Sequence, residues 1–276
     1  MSGHFYPAKA EELKALLDSF DSTPAPPPLS GEPIGMLLPH AGYIYSGAVA
    51  ALGYRSLSFN FETIVVVGPS HYKSFSGISL FAGEAVQTPL GDLPVDQEAC
   101  GFLLEQSEAF SQFAPAFAKE HSVEVHFPLI QKYCPGAKVV PLITGQGEKP
   151  TIRPLVQSLL ALRKTKKFLL VASSDLSHYP VYDVAVDADR RFLEVLLQGN
   201  ENELEEIDEA ILNERYPNYY CTHCGKEPIS ALLRVGKAEK AEKIELLAYR
   251  NSGDVTGDLS RVVGYAAVAF SQGKPG

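Results

Sequence analysis

The sequence predicts an α/β protein, a single three-layer α/β/α domain over residues 1–276 with a mostly parallel central sheet. Three observations carry this expectation. Short apolar runs such as Ile64-Val65-Val66-Val67 and Phe168-Leu169-Leu170-Val171-Ala172 alternate along the chain with longer amphipathic stretches. The runs are apolar at every position rather than at every second one, as in strands covered on both faces. No internal repeat, and no linker long enough to divide the chain, interrupts the alternation.

In order, Leu13, Leu16, Leu17 and Phe20 recur at helical spacing and predict a helix over 8–20. Residues 21–30 hold Pro24, Pro26, Pro27 and Pro28 and cannot continue it, so they read as an extended connection. Beyond them the alternation predicts strands at 34–38, 63–67, 77–81, 139–143, 168–172, 245–249 and 262–270. Between these it predicts helices at 47–57, 97–106, 123–132, 152–163, 184–197, 204–213 and 228–235. The last strand, wholly apolar, is expected inside the sheet.

Composition bounds the function. With 24 basic and 33 acidic residues the net charge is −9, which argues against nucleic acid or an anionic membrane as the main partner. Four cysteines are too few for a disulfide scaffold. The opening Met1-Ser2-Gly3-His4-Phe5-Tyr6-Pro7 has no signal-peptide pattern, and no window is apolar enough to span a bilayer. The expectation is a cytoplasmic protein with no membrane role.

Three apolar runs end on a histidine-bearing turn: Pro39-His40-Ala41-Gly42-Tyr43, Gly68-Pro69-Ser70-His71, and Ser173-Ser174-Asp175-Leu176-Ser177-His178. Ligands of open parallel sheets bind beyond the carboxyl ends of the strands, so His40, His71 and His178 are expected to converge on one crevice. Ser70 and His71 are adjacent on extended chain and point apart, which argues against a serine activated by its neighbour. In Glu120-His121-Ser122-Val123-Glu124-Val125-His126, Ser122 or a neighbour is placed to cap a helix. His121 and Glu124 then share a helix face, while His126, five residues from His121, points elsewhere and reads as part of a capped, solvated helix start. The spacing differs from the H-E-x-x-H zinc motif.

Cys221-Thr222-His223-Cys224-Gly225 contains a C-x-x-C, but Cys100 and Cys134 offer no second pair for a structural zinc site. Cys224, just ahead of the helix at 228–235, is expected to join the histidines, with the helix N-terminus favouring its thiolate. Cys221 reads as a buried structural cysteine. Two histidines and a thiolate make a three-ligand site with an open position, acceptable to zinc, Fe(II) or copper. Blue copper is disfavoured, because Met36 is too far along its strand from His40 to ligate the same ion.

These motifs, together with Gly3-His4-Phe5-Tyr6-Pro7, Thr88-Pro89-Leu90-Gly91 and Cys224-Gly225 followed by Pro228-Ile229, resemble the Memo family. Its prokaryotic form is called AmmeMemoRadiSam system protein B. The resemblance implies an α/β/α fold similar to the class III extradiol dioxygenases. It also implies His40, His71 and Cys224 as metal ligands, with Asp175 and His178 beside them. Class III dioxygenases use two histidines and a carboxylate, so a thiolate departs from their pattern. Animal members are similar to signalling adaptors for phosphorylated receptor peptides. Prokaryotic ones are often encoded beside an AMMECR1-like protein and a radical SAM protein, which implies these as pathway partners.

The leading expectation is an Fe(II)-dependent, dioxygenase-like oxidoreductase acting on a small aromatic or phenolic substrate. Asp175 and His178 would handle protons or orient substrate, and His121 would line the cleft. The alternatives are a non-catalytic peptide- or protein-binding module using the same cleft, and a zinc-dependent hydrolase on the same ligands.

Overall fold

The computed structural model describes residues 1–24, 26–29, 31–147 and 151–273. Its centre is an eight-stranded sheet. The strands are β1 (Pro33–Leu38), β2 (Thr63–Pro69), β3 (Ile78–Leu80), β6 (Phe110–Ser111), β7 (Lys138–Thr144), β8 (Leu169–Ser173), β9 (Lys243–Asn251) and β10 (Gly264–Ser271). They lie in the order β6-β3-β7-β2-β8-β1-β10-β9. A separate hairpin pairs β4 (Ala85–Thr88) with β5 (Gly91–Pro94).

The middle of the sheet is parallel: β7 with β2, β2 with β8, and β8 with β1. Both sides turn antiparallel, with β3 against β7 and with β1, β10 and β9 in succession. β1, β2 and β8 are buried along their whole length, which is why they read as unbroken apolar runs. β10 is likewise buried throughout and internal, while β9 on the edge is mostly half-exposed.

The helices are α1 (Ala10–Ser19), α2 (Ala48–Arg55), α3 (Gln97–Gln106), α4 (Phe127–Tyr133), α5 (Ile152–Arg163), α6 (Tyr182–Leu196), α7 (Glu201–Asn213), α8 (Lys226–Ala238) and the short α9 (Ser252–Thr256). Side chains alternate across a strand, and β1 shows where two helices lie. A Cβ on Gly35 would meet Leu232 of α8, whereas Gly53 of α2 presses on Leu38. Positions 35 and 38 face opposite ways, so α8 and α2 cover opposite faces of the sheet.

Boundaries shift by a few residues from those expected, and the larger differences have local causes. Residues 20–22 form a 3-10 turn before the proline segment becomes extended, and Ala25 and Ser30 lie outside the described residues. The helix expected over 123–132 is divided into a 3-10 turn at Glu124–His126 and α4, with Pro128 in the first turn of α4. Ser122 does not cap it; its hydroxyl donates to the carbonyl of Pro69 at 2.8 Å. The motif after His40 winds into a π-turn at Tyr43–Gly47 that leads straight into α2. The β4–β5 hairpin went unpredicted because Thr88-Pro89-Leu90-Gly91 is its turn, and its strands are too short and too polar to stand out.

Candidate metal centre

β8 lies between β2 and β1, so the loops leaving their carboxyl ends emerge side by side. They bring His40, His71 and the Asp175–His178 loop together. The rings of His40 and His71 are 5.1 Å apart, and that of His121 lies 5.4 Å from His40 and 4.7 Å from His71.

The tautomer of His40 follows from one hydroxyl. Ser173 Oγ lies against the carbonyl oxygen of Ser122, and only the serine has a hydrogen to place between them. Ser173 can therefore only accept from its other two neighbours. His40 Nδ1 donates to it at 2.8 Å and His126 Nε2 donates at 2.9 Å. Tyr54 completes the chain by donating to His126 Nδ1 at 3.2 Å. His40 Nε2 is left with a lone pair aimed at Cys224 Sγ, 3.1 Å away.

His71 is set by a carboxylate. Glu120 is fully buried and accepts from the ring Nδ1 of His71 at 2.8 Å and from its backbone N–H at 2.6 Å. The N–H groups of His121 and Ser122 also donate to it, each at 3.0 Å. These donors hold Glu120 below its usual carboxylate range even though burial alone would raise it. His71 Nδ1 thus carries a proton and Nε2 is free to bind a cation. A carboxylate behind a histidine is the usual support of a metal ligand.

Cys224 is carried in front of α8, where Gly225 passes Ser174 so closely that a Cβ on it would come within 2.5 Å of the Ser174 Cβ. Its Sγ accepts from the N–H of Asp175 at 3.3 Å. Burial, and after it the charge of Asp175, push the thiol well above its usual value, so the expected preference for thiolate at the helix N-terminus does not hold in the metal-free protein. A bound cation would reverse this, because a coordinating thiol is deprotonated outright.

The ligand atoms of His40, His71 and Cys224 lie within 4.8 Å of one another. His71, Glu120 and His121 meet the same distance condition. That second set is a poorer site, because the oxygens of Glu120 are already occupied by N–H donors. The first set offers two imidazole lone pairs and a thiol, soft and borderline donors that fit zinc, iron or copper.

Beside the site lies a cleft of about 480 Å³ lined by Phe5, Tyr45, His121, Asp175, His178, Tyr179 and Tyr265, among others. His178 Nδ1 donates to the carbonyl of Leu176 at 2.7 Å, which leaves Nε2 unprotonated. Asp175 accepts the N–H groups of His40 (2.7 Å) and Ala41 (3.3 Å) through Oδ1. Burial raises its carboxyl to about 7. His121 is clamped between rings, 4.2 Å from Phe5 and 4.7 Å from His71, both nearly parallel to it. Its burial lowers it to about 4, so it is neutral at ordinary pH.

A Memo-like protein family model matches residues 1–269. The chain belongs to the Memo-like family. A MEMO1 family protein of Ignicoccus hospitalis is 35% identical over 98% of this chain and 96% of its own length. One from Methanobrevibacter smithii is 34% identical over 98% of each. A crystal structure of an uncharacterized protein from Escherichia coli K12 shares the fold with a TM-score of 0.53, at 17% identity, covering 85% of this chain and 98% of that one. Among the described residues no helix is long and apolar enough to cross a membrane.

Within this Memo-like chain, His40, His71, Cys224, Asp175, His178 and His121 all lie at or beside one cleft. Glu124 does not: it turns away from His121 to accept from Tyr6 at 2.6 Å, because residues 120–123 are loop rather than helix. His126 is fully buried rather than part of a solvated helix start, and stands one hydroxyl away from His40. Ser70 and His71 do point apart, the serine donating to the carbonyl of Lys73. Cys221 is half-buried rather than buried, and all four cysteines are free. Glu120 and Ser173 were not anticipated as supports. Glu120 looked like part of a solvated helix start, and Ser173 like the end of a strand.

Proposed function

We propose that the chain is a metal-dependent oxidoreductase that binds Fe(II) through His40, His71 and Cys224 and acts on a small aromatic or phenolic substrate in the adjoining cleft. The observation that carries this reading is the pair of imidazole Nε2 lone pairs, each freed by a committed Nδ1–H, converging with a thiol beside an aromatic-walled cleft, to which His121 and Asp175 connect them. Bound there, iron would supply one-electron chemistry toward O₂.

The chain's own residues would do the rest. His178 lines the cleft, and its unprotonated Nε2 is the atom to take a proton from a phenolic hydroxyl. Asp175 Oδ2 has no hydrogen-bond partner among the described residues and can accept from the same substrate, while Oδ1 keeps the His40 loop in place. Phe5, Tyr45, Tyr179 and Tyr265 give the cleft walls on which an aromatic ring packs and from which water is displaced.

O₂ uptake with catechols and other phenols tests the reading. Wild type loaded anaerobically with Fe(II) should consume O₂ with at least one of them. His71→Ala should bind no iron and consume none, and His178→Gln should keep its iron while losing at least ten-fold in rate. Stoichiometric zinc with indifference to O₂ would replace the proposal with a hydrolase. Activity that survives full metal loss would end it.

A further inference from the structure

Arg261 is the only cationic side chain lining the cleft, and among the described residues it makes no ion pair or hydrogen bond through its guanidinium. Instead the guanidinium lies 4.9 Å from the ring centre of Tyr179, whose ring stands 5.6 Å from that of His178. The nearby acid, Asp258, is turned into its own loop, where it accepts from the N–H of Ser260 at 2.9 Å and from its hydroxyl at 2.6 Å. It forms no ion pair with the arginine among the described residues.

The position is built rather than incidental. Tyr179 is held at φ 70°, a conformation that a bulky residue adopts only when its surroundings impose it. The imposition is visible: Tyr179 N–H donates to the carbonyl of Val262 at 2.7 Å, and Val262 N–H donates to Pro180 at 2.9 Å. These two bonds tie the segment carrying Arg261 to the loop carrying His178. Tyr179 is 41% exposed, so its ring is a wall of the cleft and not part of the core.

We infer that Arg261 is a specificity-determining residue and that the ligand of this cleft is an aromatic carboxylate, its ring among the tyrosines and its carboxylate on the guanidinium. This rests on the reading of the cleft as the substrate site. A planar guanidinium stacked on an aromatic ring keeps its N–H edges free, and those edges match a carboxylate in two parallel hydrogen bonds. An arginine already paired with an acid would gain little from such a ligand; this one makes no such pair among the described residues.

Calorimetric titration of the full-length protein, stripped of metal by a chelator, tests the inference without any turnover. The probes are 4-hydroxybenzoate and its neutral counterpart 4-hydroxybenzamide. Wild type should bind the carboxylate at least ten-fold more tightly than the amide, with a preference that shrinks as salt is raised. Arg261→Gln should bind the two alike at the affinity wild type has for the amide, and Arg261→Lys should keep only part of the preference. Equal binding of both by wild type, binding of neither, or a preference that survives in Arg261→Gln would each overturn it. A protein inert toward O₂ but selective here would refute the oxidoreductase reading and leave this one standing.

Discussion

Oε1 of Glu120 accepts the Nδ1 proton of His71 at 2.8 Å from a position with no exposure to solvent. The same carboxylate gathers the backbone N–H groups of residues 71, 121 and 122, so a single buried charge fixes both the ring and the loop that carries it.

Glu120→Gln keeps the shape but turns an amide NH₂ toward groups that are themselves donors. Metal affinity should fall about 10- to 100-fold, as it does when the partner of a ligating histidine is lost. Unfolding should also become easier by about 1–3 kcal/mol, since at least one buried N–H loses its acceptor. Competitive titration with a chromophoric chelator, beside thermal unfolding, reads both.

Ser173 plays the corresponding part for His40. Its removal leaves His40 Nδ1 and His126 Nε2 without an acceptor and the Ser122 carbonyl without a donor. Ser173→Ala should lose about 10- to 100-fold in metal affinity and about 2 kcal/mol or more in stability. Ser173→Thr, which retains the hydroxyl, should recover the affinity if its methyl group is accommodated. If Ser173→Ala binds metal as wild type does, the hydroxyl does not set the tautomer.

How much of this was legible beforehand varied with the physics involved. β1, β2 and β8 announced themselves because burial on both faces leaves no polar residue in the run, and the histidine turns after them stood out by contrast. The antiparallel strands β3, β9 and β10 also fall on expected runs, although half-exposed β9 extends beyond its apolar stretch, whereas β6 is only two residues long and offers no run to read. Ser173 and Glu120 were invisible for another reason. A serine at a strand end and a glutamate before a helix are common, and only three-dimensional proximity shows that a histidine far along the chain depends on each.

Buried neutral histidines set a pH dependence for the metal-free protein. Burial lowers His126 to about 3 and His223 to about 4, against 6.5 for an unfolded histidine. The unfolded chain therefore takes up protons below pH 6.5 that the folded chain refuses, so stability is complete above that value and is lost as pH falls toward 3–4. At pH 5 each of the two should cost roughly 2 kcal/mol. Denaturant unfolding from pH 7.5 to 4.5 checks this, and His126→Gln should show a flatter profile. A stability that does not change over this range would show that these rings are not buried neutral.

Gly225 lets α8 start against the Ser173 carbonyl and the Ser174 side chain. Gly225→Ala should displace Cys224, weakening metal binding more than it weakens the fold. The measurement is the ratio of metal affinity to unfolding free energy. A loss of stability with unchanged affinity would place Cys224 outside the site.

The central claim is that His40, His71 and Cys224 hold one metal ion. Elemental analysis of untagged protein prepared without oxygen, wild type beside Cys224→Ser, tests it most directly. The account predicts about one iron per chain in wild type, lost in the variant, and a thiolate-to-metal charge-transfer band on cobalt substitution that disappears with it. No metal in wild type after anaerobic loading with Fe(II), Zn(II) and Cu(I), or equal metal in both proteins, would contradict it.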